Sequence, residues 1–309
     1  MTGTPSTDAA AGLDAATAEL LTESLRELFA AHPDGSGLAG ALAELGWSDV
    51  QDQDPAGAVT LLFTEHGRAL AASSLLDDVV LAALPDGPAQ VLYSCGDCGT
   101  LLRPYDPAAE VLVLGEDGTA RVLPPGALAP RPLDAFDTAP GRFTAVAGPE
   151  GTALASDAGE RAVAAAHRAL AAELIGVCQS ALDLAVQHTS ARFQYGRPLA
   201  TFQAVRHRLS ESHVALEAAR ATLGVAWDDG GAWAARVAKI RAGQAQEQVT
   251  RAALQVFGAM GLTLESPLHR HVTRAAFLDL LLGGHRALAE RTGAEILAGA
   301  DPAPLVAIG

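Results

Sequence analysis

Two arginines, Arg192 and Arg197, stand in the stretch Ala191–Leu209, ARFQYGRPLATFQAVRHRL, with Gln194, Tyr195, Gly196, Pro198 and the pair Phe202-Gln203. Arginine suits planar or phosphorylated anions, because its fork makes several charge-assisted hydrogen bonds at once. The plain alternative is an exposed turn with ordinary surface arginines. A second group, Gln255-x-Phe257-Gly258-x-x-Gly261, closes a later apolar run. Glycines at a helix end permit positive φ and close backbone approach to a ligand, although most such glycines are only caps. A third group is Cys95-Gly96-Asp97-Cys98. A Cys-x-x-Cys can be redox-active or half of a zinc site. This one lies in strand-like sequence, with no second cysteine pair or nearby histidine, so a tight turn is expected.

The elements that must position these groups are mostly helices. Ala15–Ala31 has the apolar set Leu20, Leu21, Leu25, Leu28 and Phe29 and is stopped by Pro33-Asp34-Gly35. Helices are expected at Leu38–Leu45, Gly57–Ala72 and Leu75–Leu84, with a polar, turn-like segment at Asp49–Pro55. From Gln90 the texture changes. Gln90–Ser94, Glu110–Leu114, Thr119–Leu123 and Gly141–Val146 are short, rich in Val, Leu and aromatic residues, and separated by Pro- and Gly-containing turns; that pattern predicts strands. Helix returns at Ser156–Thr189, as one long or two joined helices. It continues at Leu199–Trp227, at Trp233–Met260 with the stripe Val237, Ile240, Ala245, Val249, Ala252 and Val256, and at Ala275–Ile296, which Gly283-Gly284 interrupts. Gly176 inside a helix costs stability, so it marks close packing, a ligand or a tolerated glycine. Four long helices with short connections predict a bundle.

Bulk properties narrow the function. The 309 residues can bury one or two cores, and 49% of them are hydrophobic. Lys and Arg total 21 against 36 Asp and Glu, a formal charge of −15, which leaves no broad basic surface for nucleic acid. Three cysteines make no disulfide framework, so a reducing, cytoplasmic setting is expected. The first residues lack the basic and apolar regions of a secretory signal. No uninterrupted apolar run reaches membrane-span length, so no membrane partner is expected.

Arg192, Gln194, Tyr195, Gly196, Arg197, Pro198, Phe202 and Gln203 resemble the Arg-x-Gln-Phe-Gly-x-Pro…Phe-Gln signature of the acyl-CoA dehydrogenase family. Gln255, Phe257, Gly258 and Gly261 resemble its Gln-x-Phe-Gly-Gly-x-Gly turn, with Ala259 in place of one glycine. Leu45-Gly46-Trp47 and Glu65-x-Gly67-Arg68 follow the family's order near the N-terminus. The resemblance implies a mostly α fold with a small β domain: a flexible tail at 1–14, a shortened N-terminal helical domain at 15–89, a middle β domain at 90–150, and a C-terminal four-helix bundle at 151–309 that carries FAD and the dimer contact. It implies that Arg192, Gln194 and Tyr195 serve the pyrophosphate and adjacent parts of FAD, that Gln203 orders the same interface, and that Gln255 and Gly258 touch FAD across the dimer. No metal is implied.

Two family features have no recognisable counterpart. The loop Thr-Glu-Pro followed by Gly-Ser-Asp, which touches flavin and thioester in the family, is missing from the β region. The family's catalytic carboxylate is missing too. Counting from Arg274-Ala275, its common position is Leu282; its alternative position, ten residues ahead of Gly176, is Ala166. His167, Glu173 and Asp279 are near in sequence and read as structural or surface groups. Leu264–Arg270 with Arg274-Ala275 resembles an actinobacterial branch that acts on bulky CoA thioesters, sterol side-chain intermediates among them, often as pairs of unlike subunits; a polar corner is the alternative. The resemblance therefore implies a flavoprotein subunit for α,β-dehydrogenation of a bulky acyl-CoA thioester. Its base would come from a paralogous partner in an α2β2 assembly, or the chain would be a homodimer. A non-catalytic binding subunit and an atypical member serving secondary metabolism are the alternatives.

Overall fold

The computed structural model describes residues 12–84, 88–96, 98–137 and 139–300. Most of the tail expected at 1–14 lies outside them, as does Asp97 of the cysteine motif. The chain opens with five helices: α1 (Ala15–Ala31), α2 (Leu38–Glu44), α3 (Trp47–Gln53), α4 (Pro55–Ala69) and α5 (Leu75–Ala82). The Asp14 carboxylate caps α1 by accepting from the Ala16 and Thr17 amides, both at 3.0 Å. Leu25 and Phe29 are buried, whereas Leu20 is exposed and leaves the expected apolar set.

α3 corrects the polar turn expected at Asp49–Pro55. Gly46 takes φ 74 before the helix, Asp49 sits in its first turn, and buried Trp47 anchors it, so local caps outweigh its low apolar content. Asp54 then caps α4, accepting from the Gly57 amide at 2.8 Å, with Pro55 in the first turn.

A seven-stranded sheet follows, built from β1 (Gln90–Cys95), β2 (Cys98–Leu101), β3 (Val111–Gly115), β4 (Ala120–Leu123), β5 (Arg131–Pro132), β6 (Phe143–Ala145) and β7 (Thr152–Ala153). The spatial order is β5-β6-β2-β1-β3-β4-β7. The β1–β3 pair is parallel and the other pairs are antiparallel. Strand periodicity sorts the side chains: Val91, Tyr93, Leu112 and Leu114 join the main core. Leu92, Leu101, Val111, Val113 and Leu123 form a second core on the opposite face.

The remaining chain is helical. It comprises α6 (Ser156–Ala191), a small hairpin of β8 (Phe193–Gln194) and β9 (Arg197–Pro198), then α7 (Gln203–Asp229), α8 (Ala232–Phe257), α9 (Leu268–Leu280) and α10 (His285–Leu297). This matches the mostly α architecture with a central sheet and a C-terminal helix cluster. The cluster's closing member is split into α9 and α10 around Leu282, φ 54, and Gly283, φ 97. In α8 the alanines do most of the burying, and Val237 and Val256 of the expected stripe are only half-buried.

α6 is one helix of 36 residues, about 54 Å long at 1.5 Å per residue. By length and composition it could cross a membrane, which the sequence reading missed; 72% of its most apolar window is buried inside the protein. Its contact with α4 requires two glycines. A Cβ on Gly176 would lie 2.0 Å from the Thr64 carbonyl oxygen, and one on Gly67 would lie 2.2 Å from that of Glu173. Close helix packing is thus the reason for Gly176.

Candidate functional site

The C-terminal end of α6 carries the first group of expected site residues. Arg192 caps the helix, and the β8–β9 hairpin pairs Gln194 with Arg197. Its turn holds Tyr195 at φ 54 and Gly196 at φ 78. Left-handed backbone suits glycine and is uncommon for a bulky aromatic, so the turn stores strain in order to present Tyr195, which is 90% exposed. The Arg197 guanidinium lies over the Phe202 ring at 4.1 Å, and Tyr195 meets that ring edge-on at 6.2 Å. Gln203 opens α7, with its amide 3.4 Å from His207 Nε2.

Gln255 and Gly258 lie at the end of α8. Gly258 takes φ 60 and ψ −144, a conformation essentially reserved for glycine. Both residues line an open cavity of about 530 Å³ with Gln246, Thr250, Arg251 and Leu254. Arg192, Gln194, Tyr195 and Gln203 do not line it, so the six expected residues form two neighbouring groups rather than one pocket. A stack joins the groups: the His188 ring, on the last turn of α6, lies 4.2 Å from the Phe257 ring at an interplanar angle of 16°. Burial, then the Arg192 charge, pushes the His188 pKa down, which favours the neutral ring that stacks.

The donor chemistry fits FAD. Arg192 offers a charged fork, Gln194 and Gln255 offer amides, and all three are exposed. Among the described residues their side chains have no hydrogen-bond partner. The backbone at Gly258 is open, since a Cβ there would meet nothing within 4 Å. Exposed apolar side chains lie along the same segments: Phe193 and Tyr195 on the hairpin, Met260, Leu262 and Leu264 beyond α8.

The two positions of a catalytic carboxylate look different. Ala166 is 0% exposed and Leu282 is 2% exposed, and both belong to the main core. The loop carrying Leu282 is clamped from three sides. His167 Nε2 donates to the Leu282 carbonyl at 3.0 Å. Burial pushes the His167 pKa down to about 3, so the ring is neutral with its proton on Nε2. Lys239, wholly buried, donates to the Asp279 carbonyl at 2.8 Å and to that of Gly283 at 3.4 Å; burial pushes its pKa down to about 8, against the opposing pull of Asp279. Asp279 accepts from the His285 amide at 3.2 Å and sits 2.8 Å from His285 Nδ1, while His285 Nε2 faces Glu247 at 3.3 Å.

Glu173 is committed as well. It lies 3.0 Å from His66 Nδ1 and 3.8 Å from Arg274. Burial alone would push its carboxyl up; His66, Arg274 and Arg142 outweigh burial and hold it below its ordinary value. Arg274 donates to Asp137 at 2.8 Å and to the Ala71 and Leu70 carbonyls at 2.7 and 3.3 Å. It thereby satisfies the orphan carbonyls where α4 ends on Leu70, φ 52. Thus His167, Glu173 and Asp279 all hold structure. Lys239, Asp137 and His285 were not singled out in the sequence, and Arg274 was named there only as a motif residue. One signal was available for Lys239: it is the chain's only lysine, and it falls on the apolar stripe of α8.

A cavity of about 790 Å³ lies between the N-terminal helices and α6 and α7. Its walls are mostly apolar and include Leu42, Trp47, Val59, Leu75, Ala165 and Trp227.

Comparison with known proteins decides the kinship. Residues 161–297 match the family described as acyl-CoA dehydrogenase, C-terminal domain. This C-terminal region belongs to the acyl-CoA dehydrogenase family. It is 34% identical over 127 residues to the acyl-CoA dehydrogenase IpdE2 of Mycolicibacterium smegmatis, a match covering 41% of each protein. It is 40% identical over 114 residues to the 3-sulfinopropanoyl-CoA desulfinase of Paraburkholderia xenovorans, covering 36% of this chain and 29% of that one. The matched stretch thus spans about two fifths or less of these relatives' length. Among solved acyl-CoA dehydrogenase folds, the ChsE4–ChsE5 complex from Mycobacterium tuberculosis aligns with a TM-score of 0.72 at 20% identity, over 95% of this chain and 100% of that one. The Tcur3481–Tcur3483 steroid acyl-CoA dehydrogenase variant aligns with a TM-score of 0.71 at 22% identity, over 91% and 98%. At these identities the likeness shows the fold.

Proposed function

We propose that this chain is one subunit of an FAD-dependent acyl-CoA dehydrogenase that oxidises a bulky acyl-CoA thioester, and that a paralogous subunit supplies the catalytic carboxylate. One observation carries the reading: both positions for the base are filled by buried apolar residues, while Arg192, Gln194 and Gln255 stand exposed and, among the described residues, without side-chain hydrogen-bond partners. FAD, when bound, accepts the hydride from the β-carbon. This chain's part is binding and orientation. Arg192 holds the pyrophosphate by charge-assisted hydrogen bonds, with Gln194 and Tyr195 beside it and Gln203 ordering the same surface. Gln255 and Gly258 approach FAD from the neighbouring subunit's side, and the exposed apolar residues around them are covered in the assembly. The apolar cavity at Trp47 and Ala165 supports a bulky acyl group, since its volume falls in the range of ligand pockets. The two-chain complex named in the ChsE4–ChsE5 structure supports a partnership of unlike subunits.

The test is flavin retention by the chain purified alone and by the chain co-expressed with a paralogous acyl-CoA dehydrogenase subunit from the same organism. Visible flavin absorbance that survives gel filtration is expected in the complex. Failure of both preparations to retain FAD, even when supplemented, contradicts the cofactor assignment.

A further inference from the structure

Cys95 and Cys98 take no part in the flavin surface, and their arrangement goes beyond a tight turn. They are register partners in the antiparallel β1–β2 pair. Directly opposed residues project from the same face of a sheet. Their Cα atoms are typically about 4.5–5.5 Å apart, within the span of about 4.4–6.8 Å in which a disulfide closes without moving the backbone. Both thiols are free and exposed, and Cys98 Sγ lies 3.7 Å from the Cys95 carbonyl oxygen. The hairpin is held tightly behind them: a Cβ on Gly99 would meet Leu92 Cγ at 2.7 Å and the Tyr93 carbonyl oxygen at 3.0 Å. The remaining cysteine, Cys178, is buried on α6, and burial pushes its thiol up to about 12. Because the thiolate is the reactive form, Cys178 is inert in the folded protein and chemistry is confined to the hairpin.

We propose that Cys95 and Cys98 form a surface dithiol site that exchanges with low-molecular-weight disulfides and closes to an intramolecular disulfide. One protein thiolate attacks the small disulfide, forming a mixed disulfide and expelling one small thiolate. The second protein thiolate attacks the protein-side sulfur of the mixed disulfide and expels the other. The two cysteines are oxidised, the small disulfide is reduced to two thiols, and the two cysteine protons pass through solvent to the thiolates released. The site is independent of the flavin reading.

The test uses the full-length native protein, incubated with oxidised glutathione, alkylated and weighed by intact mass spectrometry. The expected product has lost two hydrogens, carries no glutathione, and exposes one alkylatable thiol only after unfolding. It should exceed any mixed disulfide by at least about tenfold, because the second thiol attacks intramolecularly. Cys95→Ser and Cys98→Ser should each stop at a single glutathione adduct. A stable species with one adduct on each cysteine would overturn the proposal, and so would an unreactive pair. Recovery of reduced protein holding a soft metal ion through both thiols, with no disulfide formed after the metal is chelated away, would overturn it equally.

Discussion

The two ends of α6 are built to opposite rules. Around Ala166 and His167 the helix is largely buried, with Ala165 on the wall of the apolar cavity, and His167, Lys239 and Asp279 are tied to the α9–α10 break. Around His188 and Arg192, the same rod ends in a strained hairpin whose donors face solvent. Some 26 residues separate Ala166 from Arg192, roughly 39 Å of helix at 1.5 Å per residue. In the proposed reading, a rigid helix of that length keeps one end as scaffold while the other serves as a binding surface. Strain, and polar side chains without hydrogen-bond partners among the described residues, mark the hairpin end. Buried groups tied to the backbone, His167 and Lys239 among them, mark the other end, at the place where the resemblance puts the base.

The comparison breaks most easily at Leu282. Leu282→Glu puts a carboxylate into the core beside the His167 contact. It is expected to cost about 3–5 kcal/mol in denaturant unfolding and to confer no acyl-CoA oxidation on the isolated chain. A stable, active Leu282→Glu protein would mean that position 282 can face a reacting thioester.

At the other end the effect should fall on the ligand alone. Arg192→Ala removes charge-assisted hydrogen bonds worth about 1.5–3 kcal/mol, so FAD binding to the complex should weaken roughly ten- to a hundredfold by equilibrium dialysis. The unfolding midpoint should stay put, because Arg192 is exposed. A loss of stability without a loss of flavin would reverse the roles assigned to the two ends.

Midway along the rod, Gly176→Ala pushes a methyl group against the Thr64 carbonyl. A loss of about 1–3 kcal/mol is expected by urea unfolding, with flavin affinity unchanged in whatever protein remains folded. A neutral Gly176→Ala would remove the reason given for that glycine.

The gentlest probe is pH. His167 stays neutral in the folded protein down to about 3, whereas its ordinary value is 6.5. Between those limits the unfolded chain binds the proton and the folded chain does not. The group therefore contributes stability that is lost as pH falls from 6.5, by up to about 1.4 kcal/mol per pH unit. His167→Gln should flatten that acid slope in a series of unfolding curves. An unchanged slope would show that His167 is not the group that resists protonation.

Much of this contrast was legible in the sequence. α1 announced itself through its apolar spacing and the Pro33-Asp34-Gly35 stop. The expected flavin residues of the hairpin were named from a long, ordered motif. The Gly283-Gly284 interruption expected in the last helical run is the break between α9 and α10, where Leu282 takes φ 54. What was not legible had two physical causes. Some elements are too short or too polar to carry a period: β5 is Arg131–Pro132, and α3 reads as acidic loop until Gly46 and Trp47 are seen to cap and anchor it. Other features depend on distant pairing. Asp137 and Arg274 are 137 residues apart, and Lys239 meets Asp279 only because α8 passes the α9–α10 break. No local spacing encodes either contact.

The central claim is that the carboxylate is not in this chain. It is tested most directly by acyl-CoA oxidation with an artificial electron acceptor, over branched, aromatic and steroid thioesters, for the chain alone, for its mixture with the paralogous subunit, and for the mixture with the partner's glutamate removed. The account predicts turnover only in the intact mixture and its loss when that glutamate is replaced. Robust turnover by the isolated chain would contradict it, and would send the search for a base back to His167, Glu173 and Asp279.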